Sequence, residues 1–361
     1  MNIGTPTLGP AGLRRFQELR TGAIDAVTER FASTCGADYA RFGPRGREAC
    51  REDLAFHLEF LRPVLEFGII QPMVDYLRWL EGVLATRDVP AEHLALSVEW
   101  LADYFATAME QPEAAIIVTA LRRTQARLLE SDSAPPAIYG LMPARWAECD
   151  AFEGALLAGD RRGAESQLDH CFEQGHGLVA TELHVIQPAL YNIGQKWEDN
   201  QVTVAQEHLA TAISQSVMTY GLLKSEVPPA NGRRIVLACV EGNHHSVGLQ
   251  MVADAFQLAG WDVQYLGANV PTGALLQHVA SCKPDLLGLS VSFAQQLRVV
   301  KDVMARLLQA HGADRPPVII GGLAINQFSR LAGQLGADAW SPDARAAVAS
   351  GSKLAAQAAA G

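Results

Sequence analysis

Glu241-Gly242-Asn243-His244-His245-Ser246-Val247-Gly248 follows the apolar run IVLACV at 235–240 and leads into a helix-like segment. A strand-to-helix turn of this kind is where open α/β sheets bind ligands. An imidazole held there can ligate a transition metal through one ring nitrogen while an acceptor fixes the other. The glycine at 248 leaves the backbone open to a bulky group. A turn carrying two surface histidines is the plain alternative, and N-x-H-x-x-G alone is too short to exclude it.

Downstream, short β-branched runs alternate with amphipathic stretches, and strands are predicted over 235–240, 262–266, 286–290, 318–320 and 337–340. Five strands alternating with helices predict a parallel, doubly wound, flavodoxin-like sheet with right-handed crossovers. The loops at the carboxyl ends of its strands then share one edge. They are the His245 loop, Leu266-Gly267-Ala268-Asn269, Ser290-Val291-Ser292 and Gly321-Gly322. Small residues at successive strand ends make a slot suited to a long or flat ligand, although any one of them could be an ordinary loop residue.

Upstream the periodicity is helical. Residues 12–130 carry apolar positions such as Leu54, Leu58, Leu61 and Leu65, with one strong break at DVPAEH. SDSAPPAIYG at 131–140 reads as a boundary and EVPPANGRR at 226–234 as a hinge, with helices predicted over 144–158, 161–174, 177–197 and 202–224 between them. The expected organisation is multidomain α and α/β: an all-helical domain over 1–135, a four-helix bundle over 140–226 and the sheet domain over 232–361.

Composition narrows the function classes. With 361 residues and 49% hydrophobic content the chain can bury substantial cores, and a formal net charge of −10 leaves no basic footprint for nucleic acid or an anionic membrane surface. No apolar run is long enough for a membrane span, and MNIGTPTLGPAGLRR lacks a signal-peptide layout, so a cytoplasmic location is expected. The six cysteines are dispersed without a C-x-x-C pair, which argues against a zinc site or a disulfide framework.

N-x-H-x-x-G, then S-x-S, then G-G, each following its strand, resemble the cobalamin-binding domain. The resemblance implies that His245 is the lower axial ligand of cobalt, and that Gly248, Ser290, Ser292, Gly321 and Gly322 line the pocket for the cofactor's nucleotide tail. The usual motif begins with aspartate, which bonds the ligand histidine; here Asn243 stands in its place, able to accept that bond but without the charge. Glu241 is the candidate to supply it. In LYNIGQKWEDNQVTVAQEHLATA at 190–212, Trp197 is followed after nine intervening residues by Glu207-His208. This resembles the helix-bundle cap of cobalamin-dependent photoreceptors, in which the tryptophan covers the upper face and the Glu-His pair touches the adenosyl group. Glu198 occupies the position where gene-regulating members carry a cobalt-capturing histidine. The implied function is non-enzymatic light sensing with adenosylcobalamin, signalling to an output domain, a protein partner or a second copy of the chain.

The first domain carries CREDLAFHLEFLRPVLEFGIIQPMVDYLRWLEGVL at 50–84, which sets His57, Tyr76 and Trp79 among apolar helical positions flanked by Arg47, Arg51, Arg62 and Arg78. Such a mixture suits a planar tetrapyrrole with propionates, and it equally suits a helical core coated by arginines. The overall arrangement resembles the photocobilins, in which a globin-like bilin-binding domain precedes a cobalamin module. That implies biliverdin as a second chromophore, with Arg51, His57, Tyr76 and Trp79 as its contacts. Two other functions compete: a corrinoid carrier for methyl transfer, and a haem-based sensor using His57.

Overall fold

Buried β-branched runs and amphipathic segments build the doubly wound sheet. In a computed structural model, the strands are β1 (Arg234–Val240), β2 (Asp262–Val270), β3 (Leu286–Ser290), β4 (Val318–Gly321) and β5 (Ala339–Trp340). All pair in parallel, in the order β2-β1-β3-β4-β5. Residues 235–240 are buried without exception, as a central parallel strand covered on both faces requires. The strand order reverses between β1 and β3, which places a crevice above their carboxyl ends. One difference from expectation is β2, which runs on through 266–269 to Val270. Its pairing with β1 slips twice there, and Gly267 and Asn269 adopt positive φ values of 78° and 50°, so the expected loop is an irregular strand end.

The structure describes residues 5–85, 87–129 and 144–358, so the expected boundary at 131–140 lies outside the described residues. Two units are distinguished, Met1–Ile138 and Tyr139–Gly361. The second holds both the sheet and the helices α7 (Glu148–Leu157), α8 (Arg161–Glu173), α9 (Leu178–Thr181), α10 (Gln187–Glu198) and α11 (Val204–Lys224). A π turn over Glu182–Ile186 joins α9 to α10, within what the periodicity predicts as one continuous helix. Asp160 caps α8 by accepting from the Gly163 amide at 2.9 Å, and Thr203 with Gln206 forms a capping box on α11.

The bundle core of Phe152, Leu156, Leu168, Ile186, Ile193 and Val217 continues into the sheet's helices α12 (Val247–Leu258) and α17 (Ala344–Ala358) through Met251, Ala255 and Ala344. At this junction Glu182, fully buried in the π turn, faces Asp254 of α12, which is 5% exposed. Burial pushes both carboxyls up, Asp254 to about 6 and Glu182 well above the carboxylate range, where the neighbouring Asp254 charge adds to the effect.

The first unit is helical: α1 (Pro10–Thr34), α2 (Gly36–Tyr39), α3 (Gly43–Phe67), α4 (Gln71–Ala85), α5 (Ala91–Ala108) and α6 (Glu113–Leu129). Phe16, Leu54, Leu58, Leu61, Leu65, Leu101 and Phe105 fill its core. The break at DVPAEH separates α4 from α5, and the chain also turns at Cys35, at Gly68 and before Glu113. Gly68, at φ 69°, lies where a Cβ would come within 2.9 Å of the Thr5 carbonyl oxygen. No helix among the described residues is long and apolar enough to cross a membrane.

Candidate functional site

Three carboxamides knit the loops above β1, β2 and β3. Asn243 is fully buried; its Nδ2 donates to the Ser290 carbonyl at 2.9 Å, and its Oδ1 accepts from the His245 amide at 3.1 Å. Asn269 donates its backbone N–H to the Asn243 carbonyl and accepts from the Gly242 amide, both at 2.8 Å. Gln296 donates to the Gly242 carbonyl at 2.9 Å and accepts from the Ser292 and Phe293 amides at 3.1 Å. The His245 loop is thereby fixed by its neighbours.

These bonds correct two expectations. Asn243 engages both ends of its amide with backbone and does not reach the His245 ring. Glu241 accepts from the Thr272 amide at 3.1 Å, at the start of α13 (Thr272–Cys282), so its carboxylate is not placed on the imidazole either. Restoring the aspartate with Asn243→Asp sets a carboxylate oxygen against the Ser290 carbonyl and loses a buried donor. The cofactor-free protein is expected to lose about 1–3 kcal/mol of stability near neutral pH. Part of that loss is recovered in acid, where a protonated Asp can donate again. Urea unfolding of both proteins across pH checks this, and equal midpoints at every pH would sink it.

His245 is exposed at the mouth of the crevice, its ring edge-to-face with Phe293 at 5.0 Å and 81°. Neither ring nitrogen has a hydrogen-bond partner among the described residues. Partial burial lowers its pKa; the Glu207 carboxylate opposes that shift and His244 adds to it. The imidazole is therefore neutral near pH 7, the form that offers a lone pair to a metal. His244 is also exposed.

The small residues divide into two kinds. A Cβ on Gly248, in the first turn of α12, would meet nothing within 4 Å. Gly322 has φ 96°, and a Cβ there would fall 2.5 Å from the Val291 carbonyl oxygen, so it is required by the fold. Gly321 packs beside the Ser341 carbonyl, with a Cβ distance of 3.1 Å, while Ser290 is buried and Ser292 half-buried at the end of β3. An unpartnered imidazole beside open backbone and small side chains fits a large flat group ligated on one face, with a polar extension between the strand ends.

On the bundle, Trp197 is 37% exposed near the end of α10. Glu207 lies in the first turn of α11, bonded to His208 Nδ1 at 2.5 Å and accepting from Thr211 Oγ1 at 3.0 Å. Its charge reaches His245 across the bundle–sheet junction, where it opposes the lowering of that imidazole's pKa by burial. Sequence reading missed Phe293, Gln296 and Tyr265, whose hydroxyl donates to the Ser246 carbonyl at 3.3 Å. Phe293 and Gln296 directly follow S-x-S, and an aromatic just after small slot residues was the available signal.

In the helical unit three of the expected tetrapyrrole contacts, His57, Tyr76 and Trp79, lie together, while Arg51 faces a surface groove. His57 is 1% exposed with both ring nitrogens engaged, Nδ1 with the Tyr76 hydroxyl at 3.0 Å and Nε2 with Ser97 Oγ at 2.9 Å. Burial lowers its pKa to about 4. His57 is thus a neutral core link without a nitrogen free for haem iron or a pyrrole. Tyr76 stacks on Phe60 at 4.1 Å, and Trp79 lies beside it at 6.3 Å, 39% exposed. Arg51 pairs with Asp25 at 2.5 Å and lines a surface groove with Ile24, Arg47 and Ala55.

A helix bundle packed on a doubly wound sheet, with an unpartnered histidine at the strand-order reversal, defines a module for holding a large metallocofactor between two layers. The B12 binding domain model matches residues 233–349, and a second B12 binding domain model matches 148–220. The dimethylamine corrinoid protein 3 of Methanosarcina mazei is 31% identical over 120 residues, which are 33% of this chain and 71% of that one. The chain belongs to the B12-binding protein family. The HTH-type transcriptional repressor CarH of Myxococcus xanthus is 26% identical over 262 residues, covering 70% of this chain and 85% of the repressor. Among solved structures, the monomethylamine corrinoid protein of Methanosarcina barkeri shares the fold with a TM-score of 0.50 at 20% identity, over 57% of this chain and 98% of that one.

Proposed function

We propose that this chain is a non-enzymatic light sensor that binds adenosylcobalamin between the helix bundle and the sheet. The observation that carries the reading is the placement of Glu207, beside His208 on α11, within electrostatic reach of His245 across the crevice. When bound, the cofactor supplies a cobalt–carbon bond that visible light breaks. His245 would hold the metal, Gly248 would admit the ring, and Ser290, Ser292, Gly321 and Gly322 would receive the tail. Trp197 would cover the ring, while Glu207 and His208 would hydrogen-bond the adenosyl group. Contacts that exist only before illumination bias the bundle–sheet arrangement, and their loss is the signal.

The output in this reading is a protein partner or a second copy of the chain, since a net charge of −10 offers no footprint for nucleic acid. Biliverdin in the helical unit is the second part of the reading. It is supported by the exposed Trp79 beside Tyr76, and it requires the bilin to displace Ser97 or Tyr76 from His57.

The deciding measurement compares absorption spectra and hydrodynamic size in the dark and after illumination, with adenosylcobalamin alone, biliverdin alone and both. Light-dependent change in spectrum and size is expected with adenosylcobalamin, and a red band with biliverdin. Replacing Glu207 and His208 together by Ala should weaken adenosylcobalamin about tenfold relative to hydroxocobalamin, the worth of one or two hydrogen bonds. A spectrum inert to light would remove the sensor. Efficient methylation of the bound corrinoid by a methyltransferase would instead establish a corrinoid carrier.

A further inference from the structure

A thiol, a carboxylate and an imidazole converge at one end of the helical unit. Cys35 closes α1, Asp38 lies in α2 and His93 in the first turn of α5; their ligand atoms all lie within 4.8 Å of one another. His93 is 5% exposed and Cys35 8%, whereas Asp38 is open to solvent. The His93 ring is held on three sides. Its Nδ1 meets the Tyr39 hydroxyl at 3.2 Å, its face stacks on Tyr39 at 5.5 Å and 23°, and its edge meets Phe31 at 6.0 Å.

That support aims Nε2 at Asp38 Oδ2, 3.3 Å away. Between that nitrogen and the carboxylate either the Nε2 proton or a cation can sit, and the thiol within 4.8 Å of both adds a third ligand that a proton does not use. The thiol lies in the same negative surroundings: burial pushes the Cys35 pKa up, and the charges of Asp38 and Glu92 push it further. A bound divalent cation would reverse that bias and release the thiol proton to solvent.

We propose that Cys35, Asp38 and His93 bind a zinc-class divalent cation, with the fourth position left to water or Glu92. One sulfur, one imidazole nitrogen and one carboxylate oxygen form a three-ligand set that suits tetrahedral zinc with an open position, and the hard-cation alternatives disfavour thiolate. Such a set leaves no C-x-x-C pair in the sequence, because only one of the three ligands is a cysteine and His93 is distant along the chain. The ion would clamp the turn between α1 and α2 to the start of α5.

Untagged full-length protein free of corrinoid is titrated with zinc sulfate by calorimetry in buffers of different ionisation enthalpy, and with cobalt(II) chloride by absorption. One zinc per chain is expected, with about one proton released, and cobalt is expected to give a near-ultraviolet thiolate charge-transfer band. Cys35→Ser and His93→Ala should each weaken zinc about 100-fold or more, since even supporting residues around such sites are worth 10–100-fold. His245→Ala and Cys50→Ser should leave it unchanged. Loss of zinc binding in His245→Ala, or full affinity in Cys35→Ser, would overturn the site. The cobalt band of the wild-type protein decides without any variant: its absence also overturns the proposal.

Discussion

Gly322→Ala should destabilise the sheet unit by about 3 kcal/mol or more, while Gly248→Ala should leave the fold intact and impair cobalamin binding. At 322 an L-residue is forced to φ 96°, itself a cost of about 1–3 kcal/mol. Its Cβ would also press within 2.5 Å of the Val291 carbonyl oxygen and 2.8 Å of the Val291 nitrogen. Both neighbours are backbone, so relief means shifting the loop after β3 and weakening the Val291–Gly321 and Ala324–Val291 hydrogen bonds of 2.9 and 3.2 Å. At 248 the added methyl meets empty space inside a helix, where Ala is favoured over Gly by roughly 0.5–1 kcal/mol. Urea unfolding of the cofactor-free proteins, with cobalamin titration of each, separates the effects. Equal stability losses for the two variants would show that the slot glycines are not divided into fold-holding and ligand-admitting positions.

The Glu182–Asp254 pair predicts stability that falls as pH rises through about 6, the opposite of ordinary ion-paired carboxylates. Asp254 titrates near 6 in the folded protein, above its ordinary value, so the folded state holds more protons than the unfolded chain between those two values. The stabilisation is complete below pH ~4, the carboxyl range of unfolded chains, and declines as pH climbs through the folded value. A shift of about two pH units is worth roughly 3 kcal/mol. Burial holds the Glu182 carboxyl well above its ordinary value too, with the Asp254 charge adding to the shift. Asp254→Asn removes the second ionisation and gives Glu182 a neutral donor, so the variant should be about 2–3 kcal/mol more stable than wild type above pH 7 and similar to it at pH ~4. Melting profiles across that range test it; parallel curves would refute it. Because Glu182 belongs to the bundle and Asp254 to the helix that follows His245, the ionisation loosens the two layers that flank the crevice.

Much of this architecture was legible because its signals are local. The short runs IVLACV at 235–240 and LLGLS at 286–290 are continuous and fully buried, and the slot motifs sit at their carboxyl ends. What stayed hidden depends on partners distant in sequence. That Asn243 replaces an aspartate is visible in the chain, but its role turns on the Ser290 carbonyl, which only the β1–β3 pairing brings within 2.9 Å. Periodicity puts His57 on a helix; it does not reveal that Tyr76 and Ser97 occupy both of its nitrogens. Likewise the loop expected at 266–269 continues as strand because positive-φ residues absorb the register slips without breaking the pairing.

The π turn at Glu182–Ile186 adds a residue to the helical path that ends at Trp197. Each helical residue turns the chain by about 100° and advances it 1.5 Å. Because the wide turn takes up its extra residue locally, removing a single residue from it would let the segment relax to a regular helix with the indole at nearly the same azimuth, whereas removing one from the regular turns of α10 would swing it by about 100°. The bulge therefore acts as a phase buffer for the bundle: it can give up its extra residue without turning Trp197 away, while the regular turns of α10 that carry the indole cannot.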